Sequence, residues 1–109
     1  MPAYAVAHLR EVDLGPAIVE YLERIDDTLR PFDGRFVIHG PPSAVLEGAW
    51  PGALIVLAFP DAAHARAWYD SPAYRAILPL RTEHAEGSAI LIDGVDAEHR
   101  ATDVLGGRG

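Results

Sequence analysis

Residues 53–59 read Ala53-Leu54-Ile55-Val56-Leu57-Ala58-Phe59, and this stretch decides the fold. Alternation along a strand puts Ile55, Leu57 and Phe59 on one side and Leu54, Val56 and Ala58 on the other. Both sides are apolar, which marks a central strand covered on both faces. Upstream, Pro51-Gly52 is a turn signal. Downstream, Pro60-Asp61 opens a helix, with Asp61 as N-cap and residues 62–70 as good helix formers. Ser71-Pro72 then supplies a new cap followed by proline at the first helical position, so the helix is restarted and redirected. Tyr74, Ile77, Leu78, Arg81 and Ala85 continue the helical spacing, and Pro79 is expected to kink or break it. Residues 88–95 form the last strand, with Ile90 and Ile92 on one face and Ala89 and Leu91 on the other.

Toward the amino terminus, residues 44–50 are expected to run extended, with Glu47-Gly48 as a bulge or bend. Gly40-Pro41-Pro42 separates them from a strand at 35–39. A helix precedes that strand. Its apolar face is Leu14, Ile18, Tyr21, Leu22, Ile25 and Leu29, and Glu20, Glu23, Arg24, Asp27 and Arg30 fill the opposite side. Asp13 is the expected N-cap, Pro31 the stop, and Asp33-Gly34 the turn that follows. Residues 3–9 make the first strand, with Tyr4, Val6 and His8 on one face and Ala5, Ala7 and Leu9 on the other.

The order β-α-β-β-α-β is the ferredoxin-like pattern, an α+β fold with an antiparallel sheet and both helices on one face. Helices on one side leave the other uncovered, yet the first, third and last strands are apolar on both. A second copy packed against that face is the economical solution, so a homodimer is expected. With 109 residues the chain holds one core. The domain is placed at 1–95 and a loose polar tail at 96–109.

Formal net charge is -7. That balance argues against nucleic acid and anionic membrane surfaces as partners. Cysteine is absent, which removes disulfides, thiolate nucleophiles and cysteine-ligated metal sites. The amino terminus shows neither a basic segment followed by an apolar run nor a membrane-spanning stretch, so a cytoplasmic protein is the expectation.

The run Trp68-Tyr69-Asp70-Ser71-Pro72-Ala73-Tyr74 followed by Leu78-Pro79-Leu80-Arg81 resembles a signature of the domain-of-unknown-function family 1330. Met1-Pro2-Ala3-Tyr4, Gly34-Arg35-Phe36, Val45-Leu46-Glu47-Gly48 and Phe59-Pro60 resemble the same family in the same order, over about 1–95. The resemblance implies a dimeric α/β-barrel, in which two ferredoxin-like sheets face each other. That superfamily includes cofactor-free monooxygenases, lactone isomerases, dismutating enzymes and haem-degrading enzymes. Only the fold carries across directly.

Trp68, Tyr69 and Tyr74 cluster around the helix restart, with Trp50 a further aromatic for the same neighbourhood. Aromatics with polar tips line pockets for flat ligands, and equally anchor a helix on a sheet. Arg35, Glu47 and Arg81 are the charges least explained by a solvated face. An arginine fork suits a carboxylate or enolate, whereas Arg35 and Glu47 on adjacent strands would make a plain cross-strand ion pair. His8 and His39 share strand parity with Tyr4 and Val37; facing a cavity, either serves as a general base, and otherwise each is a hydrogen-bonded or exposed side chain. Ser71 is a cap, without the glycine-flanked setting of a nucleophile. No metal-binding histidine pair, Gly-x-Gly-x-x-Gly or phosphate-binding loop is present, so neither metal nor cofactor is expected. These residues fit a cofactor-free enzyme, monooxygenase- or isomerase-like, acting on a small aromatic or carboxylated metabolite. The alternative is a non-catalytic ligand-binding or interaction module.

Overall fold

A computed structural model describes residues 1–106. Its elements are β1 (Ala3–Val12), α1 (Pro16–Leu29), β2 (Arg35–Gly40), β3 (Ala53–Phe59), α2 (Ala62–Asp70), α3 (Pro72–Thr82) and β4 (Ala85–Asp93). The sheet runs in the order β2-β3-β1-β4 with every pair antiparallel, so β3 and β1 are central. This is the ferredoxin-like α+β arrangement the element order predicts.

Register assigns the two faces. Ala5 lies opposite both Leu57 and Leu91, and Ala7 opposite Ile55 and Ala89. This face meets the helices. Its core joins Ala3, Leu57 and Phe59 to Tyr21, Ile25 and Leu29 of α1, Ala65 and Trp68 of α2, and Tyr74, Ile77 and Leu78 of α3. On the outer face Val6 lies opposite Val56 and Ile90, and Tyr4 opposite Ala58 and Ile92. Ile90 is 53% and Ile92 50% exposed in the single chain, so the outer face is apolar and uncovered there.

Local chemistry sets the boundaries. Pro16 opens α1, where its missing N–H costs nothing. Asp13 is not the cap. Gly15 takes that position, and the Asp13 N–H instead donates to the His84 carbonyl at 2.7 Å. Leu14 accordingly falls outside the helix and is exposed. Asp33 makes the left-handed turn after a single 3-10 turn at Arg30–Phe32, with φ of 55°. Asp61 caps α2 by accepting from the His64 N–H, and Ser71 caps α3 by accepting from that of Tyr74.

Several expectations are corrected. Residues 44–50 form no strand; the proline-rich segment after Gly40 is a loop returning at Ala53. Pro79 neither breaks nor shortens α3, which runs on to Thr82. It sits within a turn of the helix end, and its own carbonyl still accepts from the Glu83 N–H at 3.0 Å. Ala85 begins β4 rather than continuing the helix. Beyond β4 the chain makes a short 3-10 turn at Ala101–Gly106, and the last tail positions, 107–109, lie outside the described residues.

Candidate functional site

A cavity of about 250 Å³ lies between the inner face of the sheet and the helices. Ala5, Ala7, Leu9, Ile55 and Leu57 form its floor, and Ile18, Leu22 and Ile25 of α1 one wall. Trp68, Tyr69 and Tyr74 close the opposite side. The apolar lining follows from the two-faced strands and the aliphatic stripe of α1. Small alanines on β1 leave the space.

A short polar chain crosses this apolar setting. The hydroxyls of Tyr21 and Tyr74 are 2.8 Å apart, and Arg81 Nη2 donates to the Tyr74 oxygen at 3.5 Å. The Arg81 guanidinium also stands 5.9 Å from the centre of the Tyr21 ring. Burial, and next the adjacent Tyr74 hydroxyl, push the Tyr21 phenol far above its usual range, so it keeps its proton. Burial pulls Arg81 down, but the Tyr74 and Tyr21 oxygens outweigh it and hold the guanidinium above the ordinary arginine value. Arg81 is therefore a fixed cation. Helical spacing explains the convergence: Arg81 lies two turns beyond Tyr74 on α3, and α1 lies alongside.

The aromatic wall is locked from behind. Trp68 is 3% exposed, and its Nε1–H donates to Thr28 Oγ1 at 3.0 Å. Thr28 in turn donates to the Ile25 carbonyl at 2.7 Å. Ser71 Oγ donates to the Trp68 carbonyl at 2.7 Å, so one hydroxyl joins the end of α2 to the start of α3. The Trp68 and Tyr74 ring centres are 4.1 Å apart, and Phe59 lies 5.5 Å from Trp68 on the other side.

The remaining sequence-predicted residues separate into two groups. His39 lines the cavity and stacks on Phe36 at 4.8 Å. His8 does not share its face. Between Phe36 and Ile38 the register shifts, so Phe36 lies opposite Leu57, Ile38 opposite Val56 and His39 opposite Ile55. The extra residue, Val37, inverts the alternation and turns His39 to the helix side. His8 stays on the outer face, where its Nε2–H donates to the Pro51 carbonyl at 2.7 Å and its ring stacks on Trp50 at 4.3 Å. Trp50 thus lies away from the cavity. Arg35 lies opposite Ala58 on the outer face, while Glu47 is exposed in the loop, so the two do not sit on neighbouring strands. Among the described residues no three His, Cys, Asp or Glu side chains come together as metal ligands.

Tyr21, Thr28 and Phe36 belong to the site and were not singled out from the sequence. Tyr21 was legible as core, but a phenol in an aliphatic stripe signals a buried polar partner. Thr28 follows Tyr21 and Ile25 at helical spacing, a hydroxyl on the buried face.

No curated protein matches the chain. Among solved structures it is similar to a protein of unknown function from Rhodopseudomonas palustris, at 17% identity and a TM-score of 0.65, covering 87% of this chain and 83% of that one. It is also similar to a dimeric ferredoxin-like protein of unknown function from Jannaschia sp., at 10% identity and a TM-score of 0.65, over 86% of this chain and 100% of that one. A third is SnoaB, a cofactor-independent oxygenase from Streptomyces nogalater, at 9% identity and a TM-score of 0.55, over 91% and 96% of the two chains. These likenesses show the fold. No helix of the chain is long and apolar enough to cross a membrane. The model of the family described as a domain of unknown function (DUF1330) matches residues 2–95, nearly the whole of the folded unit, and the chain belongs to that family.

Proposed function

We infer that this chain is a cytoplasmic, homodimeric, cofactor-free enzyme acting on a small aromatic or carboxylated metabolite held in the cavity of each protomer. The observation that carries this reading is the convergence of Tyr21, Tyr74 and Arg81 on a largely apolar cavity, the usual composition of a ligand site. The apolar outer face supports the homodimer, and the dimeric Jannaschia neighbour points the same way.

The chemistry these groups suit is proton transfer beside a carbonyl. His39 takes a proton from the carbon next to the carbonyl, and the C–H electron pair forms the enolate double bond. The oxygen charge that develops falls to donors of the Arg81 and Tyr74 set. Return of the proton from His39 to the same or the conjugate carbon regenerates the imidazole and completes an exchange or an isomerisation. Proton exchange of phenylpyruvate in heavy water, followed by NMR, tests this. Faster exchange with the protein than with buffer, slowed by His39→Gln, is the expected result; equal rates with and without protein would overturn it. The non-catalytic reading is favoured by one observation: the two phenols are hydrogen-bonded to each other, as buried packing groups are.

A further inference from the structure

Resting on the reading of the cavity as a ligand site, we propose that its occupant is a monoanion: a flat, largely apolar carboxylic acid whose carboxylate pairs with Arg81 beside the Tyr74 and Tyr21 hydroxyls. The first support is the sign of the lining. In a chain of net charge -7, the ionisable groups around the cavity are Arg66, Arg81, His39 and the tyrosines, without one aspartate or glutamate. Arg66 is matched by Asp70 at 3.0 Å. Arg81 has no carboxylate partner among the described residues, and a half-buried cation without a counter-charge is an unfavourable arrangement that an anion relieves.

The second support is a count of protons. Tyr21 and Tyr74 carry one hydroxyl proton each, and their mutual bond uses one of the two. Arg81 adds donors and accepts nothing. One phenol proton and the free guanidinium N–H groups are left over, in a wall otherwise made mostly of aliphatic and aromatic carbon, with His39 and the Asp70-paired Arg66 as its other polar members. The Tyr21 phenol does not ionise to change this count, because burial keeps it protonated. An ammonium ligand would add donors to donors. A neutral carbonyl would meet the hydroxyl but leave the charge. One guanidinium and one hydroxyl match one carboxylate, and fall short of what a phosphate's oxygens require. Trp68, Tyr69 and Phe36 offer ring faces and edges for a flat body.

Benzoate, benzamide and benzylamine share a ring and differ in charge and donor pattern, so they separate the classes. The chain holds two tryptophans, Trp68 on the cavity wall and Trp50 on the outer loop. The two indole N–H signals in a proton–nitrogen correlation spectrum, assigned with Trp50→Phe, therefore report where each probe goes. Benzoate is expected to move the Trp68 signal and leave that of Trp50, at lower concentration than either analogue. Arg81→Gln is expected to weaken benzoate by about 10- to 100-fold, the loss of one charge-assisted hydrogen bond, and to leave benzamide unchanged. Equal binding of benzoate and benzamide to the wild type would overturn the anion assignment while the cavity remained a ligand site. Failure of all the probes to move Trp68 at their solubility limits would overturn both.

Discussion

The hydrogen bond from Trp68 Nε1 to Thr28 Oγ1 fixes the aromatic wall, and a double-mutant cycle on this pair measures how firmly. Thr28→Val keeps the shape of the side chain and removes the acceptor. The indole N–H then stays buried without a partner, which costs about 1–3 kcal/mol. Trp68→Phe removes the donor, and also part of a ring packed between Phe59 and Tyr74, for about 2 kcal/mol in all. In the double variant no orphaned N–H remains, because a valine methyl faces a phenyl ring. The pair should therefore be less damaging together than the sum of the singles, by about 1–2 kcal/mol. Denaturant melts of all four proteins at one fixed protein concentration give these differences. Midpoint temperatures should fall by roughly 4 °C per kcal/mol for a domain of this size. Additivity to within about 0.3 kcal/mol would refute the argument: the bond would then contribute nothing beyond shape.

Other expectations are as direct. Ile55→Asp places a charge against the core and should unfold the protomer, whereas Val56→Asp lies on the outer face and should leave circular dichroism intact while light scattering reports monomer. Gly52→Ala should destabilise well beyond Gly48→Ala. Both have positive φ, but only at Gly52 would an added Cβ stand 1.9 Å from the Leu9 carbonyl oxygen; comparable melts for the two variants would contradict this. The hydrogen bond from the His64 ring, then that from the His64 backbone N–H, hold the Asp61 carboxyl below its usual range. A depressed carboxyl stabilises the fold above its unfolded value, about pH 4, and that contribution disappears as pH falls through the lowered one. The stability gap between wild type and Asp61→Ala should accordingly narrow on acidification from neutrality to below about pH 4, and a constant gap would count against it.

What the sequence made legible was what local rules govern. The bounds of β3, the cap pair at Asp61 and Ser71, and the two-faced strands all follow from short-range patterns that tertiary context did not override. The aromatic cluster at Trp68, Tyr69 and Tyr74 was readable for the same reason. What was not readable depends on contacts between elements. The inversion of His39 requires a register shift against β3, which no property of residues 35–39 announces by itself. Tyr21 and Arg81 meet only because α1 and α3 lie side by side, and their sequence separation hides that. Glu47 looked like a strand residue because Val45 and Leu46 before it are apolar. The prolines at 41 and 42 and the positive φ at Gly48 and Gly52 instead commit the segment to a loop.

The extra residue in β2 also bears on how one open edge of the sheet is blunted. Ordered β2-β3-β1-β4, the sheet ends in two open edges, and β2 is one of them. An edge of evenly spaced amides and carbonyls is a template on which another chain can extend the sheet indefinitely. The irregularity at Val37 breaks that spacing midway along a short strand, and Gly40-Pro41-Pro42 ends it at once. An incoming strand could match one half of the edge but not both. Its removal, by deleting Val37, would restore an unbroken row of hydrogen-bonding groups on a strand carrying Phe36 and Ile38, and with it a route to fibrous aggregation.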